Sequence, residues 1–507
     1  MFGATVFTYY TFLHPLKNYP GPLLARVTDA YAGYHAIMMQ LHLVAWEDHQ
    51  KYGRIIRHGP NKLVFNSAEA LKDIYLNERV PKSHVYLTTL HATTGENIFC
   101  TIDKRTHRSR QRLIGTVFND RFLQQFEPTI VKEINVLLGL ILASCQAFDA
   151  QPLDMTKRFQ YLTLDIIGQL AFGYSNHVQI RPINRFLLKG MKAVNYHINV
   201  LMQFPALAQS GLVSLMNIFT ARQQQKNLDS LRKIIKKRTD QGIEAKQDLY
   251  HVVTKQAGIY DDKNIEMSEL WSEAAFFYVA GAETSSTTMS ALLFYLSRNQ
   301  HCYQRLASEI RSTFMDGGDI RKGAKLVGCK YLRACIDEAL RLSPPVPGIL
   351  WREFSGDEIK KNGPLVIDGH VISPGTQVGV CTYAVHHNEE YFPEPFMFKP
   401  ERWLADEITP SRPLQAFAPF SIGCRSCPGK TMAYLEISLT VAKILWYFDF
   451  ENCSSSLGSL EGGNPGRSGR RGRAEEFQLY DIFATTHTGP ILSFRPRGEF
   501  WKELATV

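Results

Sequence analysis

The stretch that most constrains this chain is Phe420-Ser421-Ile422-Gly423-Cys424-Arg425-Ser426-Cys427-Pro428-Gly429. It sets a cysteine in a frame of glycines, a proline and an arginine. Pro428 removes a donor and stiffens the turn directly after Cys427, and the glycines let backbone approach a ligand closely. An apolar run of helical spacing follows, through Met432, Ala433, Leu435, Ile437, Leu439, Val441, Ile444 and Leu445. Cys427 is therefore expected on a tight loop that feeds a buried helix. Backbone N–H groups in such a loop point at sulfur, and a helix N-terminus favours negative charge. A thiol with a free pKa of ~8.5 needs that help to lose its proton.

Three chemistries use a thiolate in such a place. Cys424 and Cys427 form a C-x-x-C, but a structural zinc wants four ligands, and the sequence has no second C-x-x-C or C-x-x-H pair. A redox C-x-x-C wants a βαβ context, whereas this one lies near the C-terminus ahead of a helix. The third chemistry is an axial thiolate to haem iron. The stretch is similar to F-x-x-G-x-R-x-C-x-G, the haem-binding signature of the cytochrome P-450 family. Phe420, Gly423, Arg425, Cys427 and Gly429 stand at its fixed positions. The bland alternative is a buried cysteine on a core helix. The resemblance implies a b-type haem, iron protoporphyrin IX, with Cys427 as the metal ligand.

The rest of the chain suits a large folded body. Apolar residues make up 45% and charged residues 21%, which is unlike a disordered chain. The length of 507 residues allows about three domains, yet no boundary in the sequence supports a division. Nine cysteines without framework spacing suit a reducing compartment. The net charge of +9 comes from basic residues that are mostly scattered, so nucleic acid is not an expected partner.

Met1 to Leu16 carries no charged residue. A bilayer-spanning helix needs ~20 apolar residues, so this run is too short to span and reads as an interfacial segment or the stub of an anchor. No basic region precedes it, as a signal peptide would require. Tyr19-Pro20-Gly21-Pro22-Leu23 forms a stiff hinge. Apolar segment, P-G-P hinge and catalytic body together resemble fungal microsomal cytochromes P-450. That resemblance implies a membrane-associated segment at 1–18, a catalytic domain at 19–507, and the cytosolic face of the endoplasmic reticulum. Ala45–Tyr52 and Ala68–Leu76 read as helices, and Arg54–Phe65 as a hairpin around Gly59-Pro60-Asn61. Residues 83–100 have no clear period; by resemblance they overlie the haem and touch substrate.

A basic cluster, Lys104-Arg105-Thr106-His107-Arg108-Ser109-Arg110-Gln111-Arg112, opens a helix continuing to Phe118. Its plain reading is a solvated face. The family pattern here is aromatic-R-x-x-R, whose last residue holds a haem propionate. This chain departs from it, with His107 at the aromatic position and Gln111 at the last. The propionate contact is therefore left between Gln111, Arg108 and Arg112, and the basic face implies a reductase partner. From Phe122 to Leu296 the spacing is nearly all helical, with core faces such as Ile134, Leu137, Leu138 and Ile141.

The second landmark is a proline-free stretch from Ser268 to Arg298, long enough for a helix of ~45 Å. An apolar run, Ala274 to Ala282, leads into Glu283-Thr284-Ser285-Ser286-Thr287-Thr288. A buried carboxylate is costly unless paired, and a mid-helix glycine such as Gly281 costs ~1 kcal/mol relative to alanine. Both are intelligible where something must come close to the helix. The segment resembles the family's [AG]-G-x-[DE]-T-[TS] motif. The resemblance implies an oxygen-binding groove in which Thr284 donates a hydrogen bond and Glu283 helps feed protons through water. The alternative is a helix bent by hydroxyls bonding back to carbonyls.

Glu338 and Arg341 share a helix face. By resemblance, Arg402 of Pro400-Glu401-Arg402-Trp403 completes a buried structural network with them, a role that suits a bidentate guanidinium. Arg352, on the strand after Ser343–Leu350, caps a propionate by the same analogy. Leu365–Val380 and residues 476–496 read as strands. Ser454–Arg473, with Arg467, Arg470, Arg471 and Arg473, reads as a flexible surface loop.

These landmarks imply a mainly α fold with a small β-rich subdomain, built around one haem. The implied activity is insertion of one oxygen atom from O2 into an organic molecule, with electrons from NADPH through a separate cytochrome P-450 reductase. Phe276, Phe277, Val346 and Ile349 point to a small, mainly apolar substrate. A monomer is expected, and resemblance to fungal relatives points to secondary metabolism. Two rivals remain: a family member acting as isomerase or dehydratase, which the intact Glu283–Thr284 pair disfavours, and a haem-based sensor.

Overall fold

The computed structural model describes residues 2–91, 95–115, 117–148, 151–209, 229–230, 232–242, 245–246, 248–259, 267–356, 363–404, 415–453, 461–466 and 470–506. The N-terminal part holds α1 (Phe2–Thr8), a π-helical turn at Tyr9–Leu13, α2 (Leu23–Val27), α3 (Ala30–Ile37), α4 (Leu41–Tyr52), the hairpin β1 (Ile55–Gly59) and β2 (Lys62–Phe65), and α5 (Ala68–Tyr75). Then come α6 (Lys104–Gly115), α7 (Asp120–Gln146), β3 (Leu153–Asp154), α8 (Met155–Phe172), α9 (Phe186–Gln203), α10 (Leu249–Ile259), α11 (Met267–Arg298), α12 (Gln300–Thr313) and α13 (Lys330–Leu342). Strands β4 (Arg352–Glu353), β5 (Leu365–Ile367), β6 (His370–Ile372) and β7 (Gln377–Val380) follow. The chain closes with α14 (Lys430–Tyr447), β8 (Phe448–Asn452) and β9 (Ile491–Pro496).

Local signals set several boundaries. Ser67 accepts the Ala70 N–H at 3.1 Å and starts α5, and Asn119 accepts the Phe122 N–H at 2.8 Å and starts α7. Gly173, with φ of +67°, ends α8 in the left-handed conformation. Helix α6 stops at Gly115, short of the expected Phe118. Among the described residues α7 is the helix long and apolar enough to cross a membrane. Its Ile130, Ile134, Leu137, Leu138 and Ile141 are fully buried in the main core, as in a core helix of a folded domain.

The main core gathers α7, α8, α11, α12, α13 and α14 with β8 and β9. A second core joins α5 to β2, β5, β6 and β7 and to Ala416 and Ala418 ahead of the cysteine loop. The sheets are small: β1-β2-β7-β4, β3-β9-β8 and β5-β6. Strand β2 runs parallel to β7, with Leu63 opposite Val378, and the other named pairs are antiparallel.

Two expectations are corrected. Of residues 476–496 only Ile491–Pro496 forms a named strand. The preceding backbone bonds elsewhere: Asp481 N–H to Met39 O at 3.0 Å and Thr485 N–H to Pro345 O at 2.8 Å. The arginine-rich segment is pinned to the body. Arg470 Nε donates to Glu47 at 2.6 Å, Arg471 donates to Leu479 O at 2.9 Å, and the Arg473 guanidinium lies 3.7 Å from the Phe396 ring centroid. Arg467 and residues 454–460 lie outside the described residues.

Candidate active site

The N-terminus of α14, the middle of α11, the α9 face and the segment 82–107 enclose a cavity of about 440 Å3. Cys427 opens onto it. By surface area the cysteine is exposed, and what it faces is this cavity. Burial pushes the thiol pKa up, and the Gly429 and Lys430 N–H groups, with the Lys430 charge, oppose that. The loop is closed by the Cys427 N–H bonding to Phe420 O at 2.9 Å. Gly423 has φ of +78°, and a Cβ there would overlap the Tyr75 carbonyl oxygen, so α5 braces the loop against any other residue at that position. Phe420 packs on Tyr434, 5.2 Å between ring centroids, and Tyr434 Oη donates to Asp337 at 2.6 Å. Cys424 is exposed at the side of the loop and does not line the cavity.

Three cations converge on the same cavity: Lys82, Arg352 and Arg425. Arg425 donates to Thr101 O and Ile102 O, both at 2.8 Å, Lys82 to Phe99 O, and Arg352 to Trp351 O at 3.4 Å. None forms an ion pair with a carboxylate among the described residues. Burial, then Arg352 beside it, pulls Arg425 down to about 10. Burial, Arg352 and Arg425 pull Lys82 well below the ordinary lysine range. His107 also lines the cavity; burial, then Arg425, Lys82 and Arg352, drive it to about 3, so it is neutral. Lys82 and Arg352 are buried and Arg425 is half-buried, and cations gathered in such a cradle without a carboxylate partner favour an anionic ligand. A thiol with two N–H donors, this cradle and apolar walls fit a haem with two propionates.

The basic cluster divides by helical phase. His107, Arg110 and Ile114 are buried, while Arg108 and Arg112 are exposed on the opposite side. Arg108 pairs with Glu78 at 2.9 Å, both more than half exposed. Arg108, Arg112 and Gln111 do not line the cavity, whereas Lys82, Arg352 and Arg425 do. Arg110 is a tie-rod, 3.3 Å from both Glu269 and Glu273 at the start of α11.

On α11, Gly281 and Thr284 line the cavity and Glu283 stands behind the wall. A Cβ at Gly281 would lie 2.8 Å from Ile167 Cδ1, so the close approach that requires glycine is made by α8. The hydroxyls bond back along the helix: Thr284 to Ala280 O at 2.8 Å, Thr287 to Glu283 O at 2.8 Å and Thr288 to Thr284 O at 3.2 Å. Glu283 is fully buried; Oε2 accepts from Gln160 Nε2 at 2.9 Å and Oε1 has no partner. Burial raises its carboxyl to about 7, against Lys192 and Gln160, which lower it. Glu436 on α14 also lines the cavity, and burial lifts it to about 8 against a hydrogen bond from Ser285. The sequence reading missed Glu436 and Lys82, which no local motif marks.

Glu338, Arg341 and Arg402 come together beneath the loop. Arg341 grips Glu338 with two bonds, at 2.9 and 2.8 Å, and Arg402 Nε donates to it at 3.0 Å. Burial pushes Glu338 up, but the two guanidiniums and their hydrogen bonds outweigh it and hold the carboxyl below its usual range. Arg341 also donates to His386 O at 2.9 Å, and His386 Nε2 accepts the Ala418 N–H at 3.1 Å. The network thus reaches the chain just ahead of Phe420. Of the apolar residues expected at the substrate, Phe276, Phe277 and Val346 line the cavity. Ile349 turns instead into a separate core cluster, and Leu350 takes its place on the wall.

Cysteine loop, cation cradle and polar α11 segment define a haem-thiolate site, and the comparisons agree. A profile of the cytochrome P-450 family matches residues 30–460. The chain belongs to that family, and it is a haem-dependent monooxygenase that works with a redox partner on an organic substrate. It is 36% identical over 502 residues to the cytochrome P-450 monooxygenase poxM of Penicillium oxalicum, covering 98% of this chain and 92% of that one. It is 32% identical to the monooxygenase AKT7 of Alternaria alternata (96% and 94% covered) and 33% to atnE of Emericella nidulans (96% and 93%).

Proposed function

We propose that this monooxygenase inserts one oxygen atom into a largely apolar molecule of fungal secondary metabolism, with Cys427 as the iron ligand. The observation that carries the assignment is that Cys427 opens onto the cavity that Thr284 lines, beside three cations that form no ion pair with a carboxylate among the described residues. The haem, when bound, supplies the activation of dioxygen. The chain supplies the rest. Gly429 and Lys430 N–H groups favour the thiolate. Lys82, Arg352 and Arg425 hold the propionates. Thr284 Oγ1 sits on the wall with its hydrogen on Ala280 O, leaving lone pairs to receive a proton donor. Glu283, poised near 7 with one unpartnered oxygen, is suited to pass protons inward at neutral pH. Glu338, Arg341 and Arg402 hold the loop in place.

Exposed Lys104, Arg105, Arg108 and Arg112 on α6 give an acidic reductase a docking face through which NADPH electrons arrive. Phe7, Phe12, Leu13, Leu23 and Leu24 are exposed around the first helices. This apolar patch supports contact of the 1–18 segment with the cytosolic face of the endoplasmic reticulum, carrying a single monomeric catalytic domain at 19–507. The test is reconstitution with a reductase, NADPH and isotopically heavy dioxygen over a panel of apolar compounds. Products carrying one heavy oxygen are expected. Products formed without NADPH, or without the label, would turn the reading toward isomerisation.

A further inference from the structure

The face of α9 that lines the cavity runs Gly190, Met191, Val194, Asn195, Ile198. Asn195 is the polar exception on that stripe. It is 4% exposed, and its Nδ2 has no hydrogen-bond partner. A buried amide left in this state is destabilising unless a ligand satisfies it. Ser272 on α11 repeats the pattern: it lines the same cavity, is 5% exposed and its Oγ has no partner. The Thr284 and Thr287 hydroxyls further along α11 bond to helix carbonyls, whereas Asn195 Nδ2 and Ser272 Oγ have no partner. The side chains flanking Asn195 on the cavity face are apolar, and Lys192, one turn before it on α9, is not among the residues that line the cavity. The cations of the cavity belong to the cradle already described.

We infer that the substrate carries a neutral hydrogen-bonding oxygen, a carbonyl or hydroxyl, on an otherwise apolar frame, and that Asn195 binds it. This rests on the monooxygenase reading and narrows its substrate class. Asn195 is a specificity-determining residue: fixed on a long helix, it sets which carbon of the frame faces Cys427. Ser272 offers a second contact of the same neutral kind. An amide presents a donor and an acceptor from one position, so both a ketone and an alcohol can be held there.

The test is spectral titration of the haem-loaded protein with cyclododecane, cyclododecanone, cyclododecanol and cyclododecanecarboxylic acid. The wild type is expected to bind the ketone and the alcohol about five- to tenfold tighter than the hydrocarbon, and the acid no tighter than the hydrocarbon. Asn195→Leu should erase the preference while keeping hydrocarbon affinity. If leucine disturbs α9, Asn195→Ala serves the same purpose, and the wild-type comparison needs no variant. Equal binding of ketone and hydrocarbon by the wild type, a preference for the acid, or equal loss of every ligand in the variants would overturn the inference. The spectrum of the reduced, CO-bound protein reports Cys427 ligation separately. A normal band with no ketone preference removes Asn195 alone, and an abnormal band in the wild type removes the monooxygenase reading.

Discussion

Replacing Glu338 by glutamine keeps the size of the side chain and removes the charge that Arg341 and Arg402 share. Five donors converge on its two oxygens: Arg341 Nε and Nη2, Arg402 Nε, Trp403 Nε1 and the Lys399 N–H. Glutamine has one acceptor oxygen, so its NH2 must face groups that are themselves donors. Glu338 and Arg341 are fully buried and Arg402 is nearly so. Breaking such a pair from one side leaves buried charge uncompensated and costs about 3–5 kcal/mol, a large part of a typical folding stability of about 5–15 kcal/mol. With a urea slope of about 5 kcal/mol/M for a chain this long, the unfolding midpoint should fall by about 0.6–1 M. The assay is urea titration of the haem-loaded protein, followed by the Soret absorbance and by tryptophan fluorescence. Arg402→Lys, which keeps a charge near Glu338, should lose much less. A Glu338→Gln midpoint equal to that of the wild type would refute the network's role in holding the cysteine loop.

Three further outcomes follow from the site. Glu436 is protonated in the fold to about pH 8, whereas the free side chain titrates near 4.5. Its stabilising contribution is therefore full below about 4.5 and is lost as pH rises through about 8. Thermal melts of Glu436→Gln should match the wild type near pH 5 and exceed it near pH 9, and parallel curves would count against this. Thr284→Ala should keep the fold, at a cost of about 1 kcal/mol, while NADPH consumption continues, peroxide rises and product falls. Unchanged coupling would remove Thr284 from the mechanism. Lys82→Met removes one of three convergent cations, so the apoprotein should melt higher while haem transfers faster to apomyoglobin. Unaltered haem retention would exclude Lys82 from the cradle.

What the sequence disclosed depended on how local each relation was. The cysteine loop was readable because its glycines, arginine and proline lie within ten consecutive residues. Helix α11 was readable because it has no proline and a long apolar run. Glu338 and Arg341 stand one helical turn apart, but Arg402 joins them across the fold and was placed only by resemblance. The same limit hid Lys82, which meets Arg352 and Arg425 through tertiary packing alone; those two were placed by resemblance. The misplacement at Arg108 and Arg112 had a readable remedy. His107, Arg110 and Ile114 follow helical phase, and that phase puts Arg108 and Arg112 on the opposite face. Gly281 shows a different limit: the need for a close approach was legible, but not that Ile167 makes it. The arginines at 470, 471 and 473 read as loop because their partners, Glu47, Leu479 and Phe396, are set by the fold.

The central claim is that Cys427, and not its neighbour Cys424, is the thiolate that binds iron. The most direct measurement is the absorbance of the reduced, CO-bound protein in three forms: wild type, Cys427→Ser and Cys424→Ser. The red-shifted Soret band that marks a thiolate ligand should be present in the wild type and in Cys424→Ser, and absent in Cys427→Ser despite bound haem. A band lost in Cys424→Ser but retained in Cys427→Ser would contradict the assignment.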